Sequence, residues 1–211
     1  MKKSSLISIA ALTAVAALTL SGCASNGTPG SDTNAAGKRA CVILPDTESS
    51  PRYESQDRPQ LEKALTDAGF VADIQNAGGD TAKYATIADQ QMSKGCGVMV
   101  LDDLNGAGVQ VAAKASKAGI PVIAYDRPLE GANYYVSFDN EYVGQLEGEC
   151  IVDGLKAAGK DPATASVVYV GGDPADGNAK MFYDGTVAAM SAAGIKPAAE
   201  TPGTWVGAKA G

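Results

Sequence analysis

The chain has 211 residues, 45% of them hydrophobic and 19% charged, with 17 Lys and Arg against 24 Asp and Glu for a net charge of −7. That composition belongs to a globular protein able to bury a core, and with no basic patch it excludes nucleic acid and anionic membrane surfaces as partners. The chain has no histidine, which rules out Ser-His or Cys-His catalysis and imidazole-bound metal and leaves carboxylate chemistry as the open enzymatic option.

At the N-terminus, Lys2 and Lys3 precede an apolar run from Leu6 to Leu20, and Leu20-Ser21-Gly22-Cys23 follows at once. The run is too short, and too quickly followed by small residues, to be a spanning helix. The tetrad resembles the bacterial lipobox, in which the cysteine is diacylated and becomes the new N-terminus. Residues 1–22 are therefore a predicted lipoprotein signal peptide, and Cys23 is the predicted lipidation site. Cleavage removes the two lysines and takes the net charge from −7 to −9. Residues 23–37 are small and aperiodic, as suits a flexible tether. The folded part is thus expected on the periplasmic side of the bacterial cell membrane, held by its lipid.

From Arg39 onward two periods alternate. Strands are predicted at Cys41 to Leu44, Val71 to Ile74, Gly97 to Leu101, Pro121 to Tyr125, Tyr134 to Phe138 and Ser166 to Val170. Between most of them lie helical faces: Leu61, Ala64, Leu65 and Ala68; Tyr84, Ile87, Ala88 and Met92; Val109, Ala112, Ala113 and Ser116; Val143, Leu146 and Cys150. Gly69, Gly95, Gly119, Gly159 and Gly194 mark the helix stops. Strand and helix in alternation predict right-handed βαβ units and a parallel sheet covered on both faces, an α/β fold.

The strands deliver acids at their C-terminal ends: Asp46, Asp102 and Asp103, Asp126 beside Arg127, Asp139, and Asp173 after Gly171-Gly172. In open parallel sheets ligands bind beyond those ends. Asp46, Asp103 and Asp173 also suit helix caps and turns. Asp126-Arg127 sets acceptors beside a rigid donor fork and suits adjacent hydroxyls of a polyol.

The stretch VIAYDRPLEGANYYVSFDN (Val122 to Asn140), with LPDTESSPRY (Leu44 to Tyr53), Asn105-Gly106 and GGDPADGNAK (Gly171 to Lys180), resembles the solute-binding proteins of bacterial ABC sugar importers, in the branch of the D-xylose-binding protein. The resemblance implies the type I periplasmic-binding-protein fold, two doubly wound parallel-sheet lobes closing on a monosaccharide and presenting it to an inner-membrane ABC permease. It implies Arg52, Asp126, Arg127 and Asn178 as sugar contacts, Tyr53 as the aromatic after the first strand and Trp205 as the stacking tryptophan before a helix. A sugar offers one apolar face and a ring of hydroxyls, which matches an aromatic plane with Asp, Asn and Arg around it. No cofactor or metal is implied. Residues 38–140 would form the first lobe and 141–211 part of a second. After the signal and tether 174 residues remain, short for two complete lobes, so a truncated chain with weakened binding is expected.

Three other functions fit parts of the pattern. The same receptor fold can present sugar to a membrane sensor; paired carboxylates suit a glycoside hydrolase; Asp46 with Asp102 and Asp103 suits a Mg²⁺ site. Outside the cytoplasm Cys41 and Cys96, at the starts of neighbouring strands, are expected to form a disulfide, with Cys150 a free thiol packed on its helix face.

Overall fold

β-Branched runs that are apolar throughout become central strands, because a parallel sheet is buried on both faces. In the computed structural model, which describes residues 38–210, β1 (Arg39–Leu44) leads through a π-helical turn (Tyr53–Asp57) into α1 (Arg58–Asp67). Then come β2 (Val71–Asn76), α2 (Thr81–Ser93), β3 (Cys96–Leu101), α3 (Ala107–Lys117), β4 (Val122–Tyr125) and β5 (Tyr134–Val136). These strands form one parallel sheet in the order β2-β1-β3-β4-β5, with Val42 level with Ile74 on one side and Val100 on the other. The remainder comprises α4 (Asn140–Ala157), a 3-10 turn (Pro162–Thr164), β6 (Val168–Gly171), α5 (Gly177–Ala192), β7 (Ala199–Pro202) and the single turn α6 (Gly207–Ala210); β6 and β7 make a separate parallel pair. The signal peptide, Cys23 and the tether lie outside the described residues.

β1 is the centre of the core. Ala40 to Leu44 have no exposure. Cys41 and Ile43 face one layer with Met99, Leu101, Val111 and Ala112, whereas Val42 and Leu44 face the other with Tyr53 and Val100. Burying each of the Val, Leu, Ile and Met side chains contributes about 1.5–3 kcal/mol. Cys41 and Cys96 are joined by a disulfide, their Cα atoms 5.9 Å apart, which ties the start of β1 to that of β3.

One expectation is corrected. The face of α4 that packs is not Val143, Leu146 and Cys150: Leu146 and Cys150 are exposed, and the buried positions are Asn140, Gly144, Gly148 and Val152. A Cβ at Gly144 would run into Phe182 O and one at Gly185 into Glu141 O, so α4 and α5 meet backbone to backbone, with Thr186 Oγ1 donating to Gly144 O at 3.0 Å. Glycines make this contact because they lack a side chain, and an apolar count overlooks them. One strand, β7, has no counterpart among the predicted ones. Its Ala-Glu-Thr-Pro sequence shows neither alternation nor a β-branched run, and all four residues are exposed.

Candidate functional site

The loop after β1 sets the first wall. Asp46 accepts from Ser49 N (2.6 Å) and Ser49 Oγ (2.8 Å), closing a turn that aims the chain at Pro51 and the π-helical turn. There Tyr53 packs its ring on Val42 and Leu44 with 2% exposure, leaving its hydroxyl to donate to Asp126 Oδ2 at 2.7 Å. Arg52 bridges Asp57 (2.9 Å) and Asp126 (2.7 Å). The Tyr53 ring has the Arg52 guanidinium 5.0 Å from its centroid and that of Arg127 at 5.9 Å, so its π face meets positive charge twice.

Asp126 and Arg127 do not work as one fork. Asp126 has φ 63°, left-handed backbone that costs a non-glycine residue about 1 kcal/mol and that aspartate tolerates better than most. The kink sends the two side chains apart. Asp126 turns to Arg52 and Tyr53, whereas Arg127, 8% exposed, runs inward: Nη1 donates to Asp103 O and Nη2 to Ser49 Oγ, both at 3.1 Å. Its Nε lies 3.2 Å from Asp176 Oδ2 and 3.7 Å from Asp102 Oδ1.

The opposite wall comes from the start of α5 and the loop before α6. Asp176 caps α5 by accepting from Asn178 N (2.9 Å). Asn178 instead spans the cleft: Nδ2 donates to Asp126 O (3.1 Å) and Oδ1 accepts from the Tyr135 hydroxyl (3.2 Å). Trp205, preceding α6, donates from Nε1 to Asp176 Oδ2 (3.0 Å) and lies flush on Gly172, where a Cβ would collide with the indole. Gly172 thus lets the backbone come into contact with the indole. Phe182 stands edge-on to Trp205 (centroids 6.1 Å) and stacks on Phe138 (6.2 Å), extending the aromatic wall.

Arg52, Tyr53, Asp126, Arg127, Asn178 and Trp205 all line one cavity of about 470 Å³, joined by Ser49, Ser50, Phe138, Asp176 and Phe182. Sequence reasoning missed the last five. The chain has three phenylalanines, and two of them are here, a scarcity that was itself a usable signal. Asp176 was legible as an acid two residues before Asn178, the spacing of a helix cap. A larger groove between α4 and α5, about 640 Å³, is lined by alanines and exposed acids and contains none of the predicted residues.

Burial pushes the Asp176 carboxyl above its ordinary range, against the pull of Arg127. The Tyr53 hydroxyl is raised strongly by burial and by Asp102, so it stays a donor. Tyr125, half-buried beside Asp57, is pushed up to about 12. The Mg²⁺ arrangement is not formed. Asp46 binds Ser49, and Asp103 accepts from Gly106 N (2.8 Å) and Gly108 N (2.7 Å); among the described residues no three acids or cysteines gather as a metal shell.

The periplasmic binding protein domain family matches residues 41–211. The multiple sugar-binding periplasmic receptor ChvE of Rhizobium radiobacter is 36% identical over 161 residues, covering 74% of this chain and 45% of that protein. The D-xylose-binding periplasmic protein of Escherichia coli is 32% identical over 133 residues, 62% of this chain and 38% of its own length. The chain thus spans less than half the length of these relatives. An ABC transporter solute-binding protein from Clostridium phytofermentans, solved with bound β-D-glucose, superposes with a TM-score of 0.66 at 33% identity, covering 74% of this chain and 48% of that one. The myo-inositol binding protein of Caulobacter, 21% identical with a TM-score of 0.71 over 82% of this chain and 58% of its own, shares the fold.

Proposed function

The chain belongs to the periplasmic binding protein family, and from that premise we propose that it is an extracytoplasmic receptor that binds a monosaccharide, xylose-like in its hydroxyl pattern, and delivers it to an ABC permease. The observation that carries this reading is the convergence of Arg52, Tyr53, Asp126, Arg127, Asn178 and Trp205 on one cavity. Carboxylate and amide acceptors, two guanidinium donors and an aromatic wall are the groups that hold a ring of hydroxyls with one apolar face. Asp126 and Arg52 sit at the rim and meet the sugar first, Arg127 and Asp176 stand beneath it, and Trp205 with Phe182 covers its apolar face. Binding proceeds without chemical change.

Residues 38–140 form the first lobe and 141–211 belong to the second, with the crossover at Asp139-Asn140. There Asn140 Nδ2 donates to Phe138 O (3.1 Å), and Asp139 caps α4 by accepting from Tyr142 N (3.0 Å). Closure about that crossover buries the sugar. Cys23, acylated after removal of residues 1–22, holds the receptor at the membrane, and a Cys23→Ser chain should leave the detergent phase.

The test is a thermal-shift and calorimetric screen of the chain against D-xylose, D-glucose, L-arabinose, D-ribose and D-galactose. A ligand that binds only the folded state raises the melting temperature. One sugar at least should do so, and Asp126→Ala should remove the shift. A folded chain that responds to none of the five overturns the reading.

A further inference from the structure

Arg127 lies between two carboxylates, and only one of them is otherwise engaged. Asp176 accepts from Asn178 N and Trp205 Nε1. Asp102, at the C-terminal end of β3, has no side-chain exposure, and neither of its oxygens has a hydrogen-bond partner of normal geometry, since the nearby Tyr53 hydroxyl, which would favour the ionised form, donates to Asp126 Oδ2 instead; Arg127 Nε is also without a hydrogen-bond partner. The groups that face Asp102 come from every neighbouring element. They are Tyr53 from the π-helical turn, Asp126 and Arg127 from the end of β4, and Asp176 from the start of α5. From α2, the Tyr84 hydroxyl donates to the Asp102 carbonyl at 3.0 Å, while Asp103 follows in the chain and Asp46 faces Arg127 from the loop after β1. Asp57 and Asp126 share Arg52, and Asp102 and Asp176 share Arg127, so four carboxylates meet two guanidiniums. The member of such a set that is fully desolvated and accepts no hydrogen bond is the one that takes a proton.

We propose that Asp102 is a proton-carrying positioning residue beneath the cleft: neutral, it leaves the Arg127 guanidinium to Ser49 and Asp176 at the cavity wall, and ionised, it draws Arg127 toward β3 and weakens ligand binding. Burial shifts the Asp102 carboxyl well upward, with Arg127 and Tyr53 opposing and the carboxylates of Asp126 and Asp176 adding, in the direction this arrangement requires. The consequence for binding rests on the sugar reading of the cavity; the proton itself does not.

With the folded-state pKa raised above the unfolded value of about 3.9, the native chain holds more protons than the unfolded one between the two values. Stability is then full at acid pH and falls as pH rises through that window. The melting temperatures of the wild-type chain and Asp102→Asn, which removes the titration at nearly constant shape, should coincide at about pH 4 and separate as pH rises, with the variant gaining up to about tenfold in folding equilibrium per pH unit. Asp102→Ser supplies the same comparison should the Asn variant fail to fold. D-Xylose and D-glucose affinity of the wild type should weaken with pH, and that of the variant should not. A stability gap that stays constant with pH, or one that narrows as pH rises, overturns the proposal. Where none of the five sugars binds, the sugar reading fails, and the Arg127 Nε–H resonance decides the positioning: it should shift with pH in the wild type alone, and an identical pH course in both chains would refute it.

Discussion

The two walls of the cleft are held by different means. The wall carrying Arg52, Tyr53, Asp126 and Arg127 stands on a sheet in which β1 is fully buried from Ala40 to Leu44 and is linked to β3 through Cys41 and Cys96. The wall carrying Asn178 and Trp205 comes from α5 and the loop before α6; the packing of α5 depends on glycine contacts with α4 and on a small cluster of Val152, Met190 and Ile195, while Val168 and Val170 of β6 remain 59% and 51% exposed. The same family of βαβ units thus gives a rigid floor and a lightly buried lid-side wall. Polar bonds across the cleft, Asn178 to Asp126 and Arg127 to Asp176, join one to the other.

The largest effect expected from breaking this asymmetry is at the disulfide. The cross-link closes a loop with a sequence separation of 55, and replacing Cys41 and Cys96 together by alanine should cost about 4 kcal/mol in denaturant unfolding. Next, Ile43→Ala, in the buried centre of β1, should cost about 3 kcal/mol and melt the first wall and the site together, as hydrogen exchange would record. At the seam, Asp126→Ala leaves the Tyr53 hydroxyl without its acceptor and places alanine at a positive φ. It should cost about 2 kcal/mol in stability and about 2–4 kcal/mol in sugar affinity by calorimetry, whereas Asp126→Asn should keep most of the stability. Smallest, Val170→Ala on the exposed strand should change unfolding by less than about 0.5 kcal/mol. A loss there as large as at Ile43 would abolish the contrast between the walls.

What could be read from the sequence follows the same division. β1, β3 and β4 are apolar runs ended by acids, and a strand buried on both faces must look like that. β7 was illegible because a strand exposed at all four positions is under no such demand, and the α4 contact was illegible because its agents are glycines. At the site, the motifs picked out Arg52, Tyr53, Asp126, Arg127, Asn178 and Trp205, but not how they pair. The kink at Asp126 separates neighbours in sequence, and Asp102, Asp126 and Asp176 meet only through tertiary folding across more than 70 residues. Phe138 and Phe182 belong to the cavity for the same long-range reason.

Trp205 gives the most direct measurement, because it is the single tryptophan of the chain and it lines the cavity. Its fluorescence, followed while the folded protein is titrated with D-xylose and the other four sugars, should change saturably with at least one, and Asp126→Ala should abolish that change. Emission that stays constant across all five, or a sugar that binds by calorimetry without altering the indole, would contradict a sugar site bounded by Trp205.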